Sequence, residues 1–478
     1  MRFPALLFVV PCAVVVSCSS STPAAPSPCA GVTGTCVGFS AGAKESDISA
    51  ALVTAVPNTT IAFGPGTFAF TNTLNLSHVS GITITGKSSD PTDTTNVTIL
   101  DFKNVAGSGE GILADTTDSL LLTKFVARDT KGNGIKVLNS NGVTWRTVKT
   151  LWSDPDPRTH GAYGLYPVQS HNVLIEGCEV AGAADAGVYV GQSDHIIVRN
   201  NDVHDNVAGI EIENSSYSEV HDNHTHDNVG GILVFNMPDL AVNEGGWNHV
   251  FNNLIESNNT VSFAARGSSV ARVPGGTGSF VLGGHDVEID HNTFNTNRGV
   301  AFAVVSYPLT GDSRLSNPSQ FPYGYGAKMW PARVFVHDNT FTGNGSNPTT
   351  PNPSDCPDPT ATTAASDCPD PVAFELSTLL KNSAAIVTKT KDVAPLLYDG
   401  IVDATATTAT WGGTATNLMN ICYGANSGDS GFMNLHYDVS GPLLLNADPT
   451  GYADITTDLS PYSSCTLPAL ATVTVTAP

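Results

Sequence analysis

The chain has 478 residues, enough for a large buried core, and carries 43 Asp+Glu against 21 Lys+Arg, a formal net charge of −22. Nucleic acid is excluded as a partner, because its phosphates need basic surface. Polyanions would bind only where basic residues cluster or calcium bridges the charge; otherwise the acidity describes a well-solvated surface.

At the N-terminus, Arg2 precedes an apolar run to Val16, followed by Ser17-Cys18. Small residues before a cysteine at this depth read as a bacterial lipobox. Residues 1–17 are then a signal peptide and Cys18 the lipidated first residue; simple secretion is the alternative. Ser19 and Ser20 favour the outer membrane, and residues 18–36 read as a tether. Beyond the signal no run of 18 apolar residues occurs, so contact with a membrane is expected through the lipid anchor only.

Residues 37–110 alternate in strand fashion (TIAFGPGTFAF, GITITGK, VTILDF) and open the fold. The middle of the chain then repeats. Coils starting at Gly164, Gly187, Gly209 and Gly231 are 23, 22 and 22 residues apart, with weaker copies at Gly134, Gly278 and Gly299. Each holds three short alternating stretches separated by polar turns. One coil cannot bury its inward side chains, so coils must stack. The expected fold is all-β, a right-handed parallel β-helix over 37–346. Leu165, Val188, Ile210 and Ile232 form one inward column; Pro167, Val190, Ile212 and Val234 form the next. Asn200-Asn201, Asp222-Asn223, Asn252-Asn253, His291-Asn292 and Asp338-Asn339 mark a stacked turn, an asparagine ladder. Long insertions fall at 255–277 and 306–332. A Pro-rich loop spans 347–371, and 372–478 reads as a β-rich extension that caps the open end.

Cysteine pairing follows proximity in an exported protein: Cys29–Cys36, Cys356–Cys368 and Cys422–Cys465, leaving Cys178 as a small buried residue.

On the first strand of each coil, alternate residues face outward at about 4.8 Å per coil. One outward column reads Lys136, Tyr166, Tyr189, Glu211, Leu233, and its neighbour Leu138, Val168, Gly191, Glu213, Phe235. Gln169, Gln192 and Asn214 follow, and the insertion 152–163 adds Arg158, His160 and Tyr163 at the edge. Aromatics, amides and carboxylates in rows suit a saccharide. Proton abstraction beside a uronate carboxylate would use Lys136 or His160 as base, Tyr166 or Tyr189 as acid and Arg158 as neutraliser. Glu211 and Glu213, roughly 7 Å apart on one strand, also suit glycosidase roles, or calcium together with Asp185 or Asp194. A hydrated face with cross-coil pairs such as Lys136 with Glu211 is the plain alternative. His204, His221, His224 and His226 lie in turns where histidine commonly replaces Asn or Asp, and no metal is assigned to them.

The run HGAYGLYPVQSHNVLIEGCEVAGAADAGVYVGQSDHIIVRNNDVHDNVAGIEIENS resembles bacterial exported or lipid-anchored parallel β-helix repeat proteins, over residues 58–346. That resemblance implies a cell-envelope location and a dihaem c-type cytochrome as partner, with the chain a non-catalytic scaffold. More distantly the coils are similar to mannuronan C-5-epimerases and pectate-lyase-like polysaccharide lyases. Those epimerases carry Asp-Pro-His-Asp where this chain has Tyr166-Pro167-Val168-Gln169. The similarity implies polysaccharide binding, with cleavage or epimerisation, on the first-strand face.

Overall fold

The computed structural model describes residues 27–237, 240–310, 330–347, 370, 373, 376–380, 392–403, 405–429, 431–435, 456–476 and 478. The expected signal peptide, Cys18, the Cys356–Cys368 bridge, and most of the 306–332 and 347–371 segments lie outside the described residues. No helix among those described is long and apolar enough to cross a membrane.

Three sheets of 12, 11 and 11 strands run the length of the molecule, and each coil contributes one strand to each. Neighbouring strands are parallel and in register, so Leu165 lies over Val188, Val188 over Ile210 and Ile210 over Ile232. All four are fully buried, as are Val190, Ile212 and Val234 within 1%. The inward columns therefore stand as expected, and the chain is a parallel β-helix.

The turns explain why asparagine repeats. Asn200, Asp222, Asn252, His291 and Asp338 all hold φ between 52° and 55°, a left-handed conformation that Asn and Asp tolerate. The residue after each points inward and bonds its copy on the next coil. Asn201 Nδ2 donates to Asn223 Oδ1 at 2.9 Å, Asn223 to Asn253 at 3.0 Å, and Asn253 to Asn292 at 2.9 Å. A second ladder, which the sequence reading missed, runs Asn206, Asn228, Asn258, Asn297, Asn344 at the third turn. Cys178 occupies the first ladder's preceding step, buried, with its N–H donating to Asn201 Oδ1 at 2.9 Å.

Both ends depart from expectation. The helix Glu45–Val53 was not anticipated; its only signal is Ile48 and Leu52, four apart and both buried. The Glu45 carboxylate accepts from the Thr71 and Asn72 N–H groups, pinning the helix to the solenoid. The expected tether is also shorter, because a strand starts at Thr35 and the Cys29–Cys36 disulfide closes the segment before it. At the other end the sheets do not stop at 346. Leu396–Tyr398 and Phe432–Asn434 extend the first sheet, Cys422–Tyr423 the second and Ser427–Gly428 the third. Tyr462 then packs on Tyr398, Tyr423 and Phe432, and the Cys422–Cys465 disulfide ties it there. The tail returns along the outer face of the second sheet, where the Leu470 N–H donates to Glu288 and the Val473 N–H to Glu219.

Asn253, itself buried, makes hydrogen bonds to Asn292, Val220 and Phe251 and accepts two from Asn223, all but the Phe251 bond out of solvent. Asn253→Ala strands these groups and should cost about 3 kcal/mol, read as a lowered denaturant midpoint. A cost under about 1 kcal/mol would mean the ladder does not hold the coils.

Candidate functional site

The first-strand sheet keeps its expected columns. Lys136 pairs with Tyr166, Tyr189 with Glu211, and Glu211 with Leu233. The column is not one open groove, however. Glu211, Glu213, Tyr189 and Leu233 are buried, at 3%, 6%, 7% and 1% exposure, while Lys136, Tyr163 and Tyr166 are only half-buried. The cover comes from the insertion after Leu254–Glu256, through Val270 and Val273, from Tyr307 and Leu309, and from Leu379 and Leu380. Beneath it lies a cavity of about 360 Å³, walled largely by apolar side chains including Phe235, Phe280 and Leu282. Asp185, Glu211, Glu213, Tyr163 and Tyr189 form its polar wall, and Arg272 also lines it.

Three tyrosines stand where the open face meets this cavity. Ring centroids of Tyr163, Tyr166 and Tyr189 are 4.5–4.9 Å apart. Tyr189 folds over Gly191: a Cβ there would meet its ring at 2.5 Å, so only glycine lets the ring lie down. Lys136 Nζ sits 5.1 Å from the Tyr166 ring centre, a cation–π contact. Three coil steps, about 14 Å, separate Lys136 from Glu211, so the plain cross-coil pair does not form.

Burial dominates the electrostatics. Desolvation pushes the Glu213 carboxyl up to about 8, with Asp185 adding to the shift. Glu211 is raised well above the carboxylate range by the same two causes. Asp185, only partly exposed, is pushed up to about 7 by desolvation, against which the Tyr163 hydroxyl donates a hydrogen bond. The Tyr166 phenol rises to about 12 and the Tyr163 phenol higher still, both through burial, so neither is a base. Glu211 and Glu213 are thus mainly protonated at neutral pH, while Asp185 is partly ionised.

Other expected site residues fall elsewhere. His160 stacks on Trp152, and its Nδ1 and Nε2 lie 2.6 and 2.8 Å from the carbonyl oxygens of Gly182 and Asp154. Neither nitrogen is left to take a substrate proton, which removes His160 as base. Arg158 pairs with Asp156 on its own turn, with Nε 2.8 Å from Oδ1. Gln169, Gln192 and Asn214 are turn residues with φ of 50°, 53° and 45°. Asn214 spends its amide on Met237 and Val242, and Gln192 accepts from the Val242 N–H, so both brace the chain at Met237 and Val242. Asp194 lies on the second sheet against His171 and His195, so it shares no calcium site with Glu211. Asp185, named in the sequence only as a calcium ligand, is central. Its signal was its place just before a coil's first strand, beside Tyr163.

Residues 80–244 match the family described as "Right handed beta helix region". The fold is a right-handed parallel β-helix. Among solved structures, this β-helix is similar to the A-module of a mannuronan C-5 epimerase from Azotobacter vinelandii (14% identity, 61% of this chain and 74% of that one, TM-score 0.42). It is also similar to an exopolygalacturonase from Thermotoga maritima (11%, 60% and 74%, TM-score 0.36) and to a DFA-IIIase from Arthrobacter chlorophenolicus A6 (13%, 74% and 86%, TM-score 0.39). At these identities the likeness concerns the fold alone. No curated protein matches the chain.

A carboxyl with a raised folded pKa adds stability at low pH, where folded and unfolded chains are both protonated. As pH rises from about 4, the unfolded chain ionises first and that stability drains away until the folded groups titrate near 7 and 8. The melting temperature of the β-helix should therefore fall between pH 5 and about pH 8, and Glu213→Gln should flatten the fall. An unchanged slope in the variant would contradict the buried-acid reading.

Proposed function

We propose that this β-helix binds a saccharide on its first-strand face and cleaves a glycosidic bond where that face enters the covered cavity. The observation that carries the reading is the meeting of three elements: a tyrosine cluster for sugar faces, three carboxyls of raised pKa, and an apolar cavity beyond them. Glycoside hydrolysis needs one carboxylic acid that stays protonated and one carboxylate that can ionise. Glu213, titrating near 8, is the acid that protonates the departing oxygen. Asp185, titrating near 7 and held by Tyr163, is the partner that activates water or attacks the sugar carbon. Glu211, held well above the carboxylate range by burial and by Asp185, stays protonated and adds no further charge to the site. The cavity wall accepts an apolar substituent of the substrate, an acyl or aryl group, rather than another run of hydroxyls.

In this reading Lys136 and Tyr166 bind and do not transfer protons, because Lys136 is two coil steps from Asp185 and three from Glu213, about 10 and 14 Å. Tyr189, buried beneath the cover, positions the sugar at the mouth. Export and lipid anchoring at Cys18 belong to the same proposal, supported by the N-terminal sequence. The rival, a scaffold for a dihaem c-type cytochrome, has only the family resemblance behind it.

Aryl glycosides and polysaccharides assayed side by side test this. The wild type should release aglycone, Glu213→Gln should lose at least about 100-fold in kcat, and Tyr166→Ala should raise KM with a smaller effect on kcat. Release by Glu213→Gln at the wild-type rate, or no turnover and no retention on any saccharide, would overturn the proposal.

A further inference from the structure

The outer face of the third sheet carries a separate chemistry. Strands Glu179–Ala181, Asp202–His204, His224–His226 and Leu254–Glu256 pair in register, which stacks Glu179, Asp202 and His224 in one column. Two residues along, His204, His226 and Glu256 stack in the next. The ligand atoms of Asp202, His204 and His226 all lie within 4.8 Å of one another. The rings of His204 and His226 are parallel within 12°, with centroids 4.8 Å apart.

Each ring is held from behind. His204 Nδ1 is 2.7 Å from the Asp205 carboxylate, and His226 Nδ1 is 2.8 Å from that of Asp227. Asp205 and Asp227 are left-handed turn residues at equivalent positions, so the repeat itself supplies the two supports. A carboxylate on Nδ1 fixes the proton there and turns the Nε2 lone pair to the front. Yet His226 Nε2 faces a second carboxylate, Asp202 Oδ1, at 3.0 Å. A lone pair facing a carboxylate is repulsive unless a proton or a cation lies between them. His204 repeats the pattern less tightly, with Nε2 3.8 Å from Glu179.

We infer that Asp202, His204 and His226 bind one first-row divalent transition-metal ion. Two imidazoles and one carboxylate favour zinc, nickel or copper over calcium or magnesium. Bonds of about 2.0–2.1 Å set tetrahedral ligand atoms about 3.3 Å apart. Asp202, whose side chain is 50% exposed, can swing in to close the set. His224, with Nδ1 3.7 Å from Asp202, and Glu179 stand at the rim, where either one or a water completes four ligands. The site lies on a different sheet from the carboxyl cavity and does not depend on the function proposed for it.

Titration of the full chain with Zn²⁺ and Co²⁺ tests the site. The wild type should take one ion here at micromolar concentration, with visible Co²⁺ bands of a nitrogen–oxygen site, and excess Ca²⁺ or Mg²⁺ should not displace it. His204→Ala and His226→Ala should each weaken uptake by at least about tenfold. His195→Ala, an exposed histidine on the second sheet, should leave it unchanged. Should alanine disturb the turns, as judged by thermal unfolding, His226→Asn gives the same reading with a turn-compatible side chain. No uptake by the folded wild type, the result expected if protonated imidazoles alone pair with these carboxylates, overturns the inference. So does equal uptake by the folded variants.

Discussion

In-register parallel stacking is the constraint on which this molecule depends. A coil of about 22 residues places each side chain directly over its copy on the next coil, and a single coil leaves its inward residues half-covered. Stacking buries the Leu165-Val188-Ile210-Ile232 column completely. The same translation forces like residues together at the turns, where most side chains would be poorly satisfied. Asparagine solves this, because its amide donates to one neighbour and accepts from the other. The surface obeys the same rule: the tyrosine cluster, the acids on the first sheet and the paired histidines on the third are all products of one repeat distance.

The insertions work against this regularity, and they create the site. Left open, Glu211 and Glu213 would be two solvated carboxylates on a sheet face. The segment around Val270 and Val273, with Tyr307, Leu309 and Leu379, removes their water. Ionising them there would cost more than the fold can recover, so they hold protons into the neutral range. Their cost to stability and their use as proton donors have one cause. A chain selected for stability alone would place Leu or Val at these positions, as the next coil does with Leu233 over Glu211.

Much of this was legible in the sequence. The spacing of Gly164, Gly187, Gly209 and Gly231 predicted coil register to the residue, and with it which side chains share a column. The ladder at Asn201 was visible because both members of the pair are polar in five coils, from Asn200-Asn201 to Asp338-Asn339; the one at Asn206 was hidden in turns that read as ordinary loop. Burial of Glu211 and Glu213 was not legible, because a strand pattern tells which way a residue points and not what an insertion many residues later lays over it. His160 read as catalytic and Arg158 as substrate-binding by composition, but their partners, the Gly182 carbonyl and Asp156, are matters of local turn geometry. The last strands, Leu396–Tyr398 and Cys422–Tyr423, were missed because long segments interrupt the period there.

The central claim is that a protonated carboxyl cluster sits under the cover of the first-strand face. Infrared difference spectroscopy on the wild type and Glu213→Gln reads this directly. The account predicts a protonated-carboxyl band in the wild type near pH 6, reduced in the variant, whose Glu213 component is lost as the pH passes about 8. Only ionised-carboxylate bands near pH 6, identical in both proteins, would contradict it.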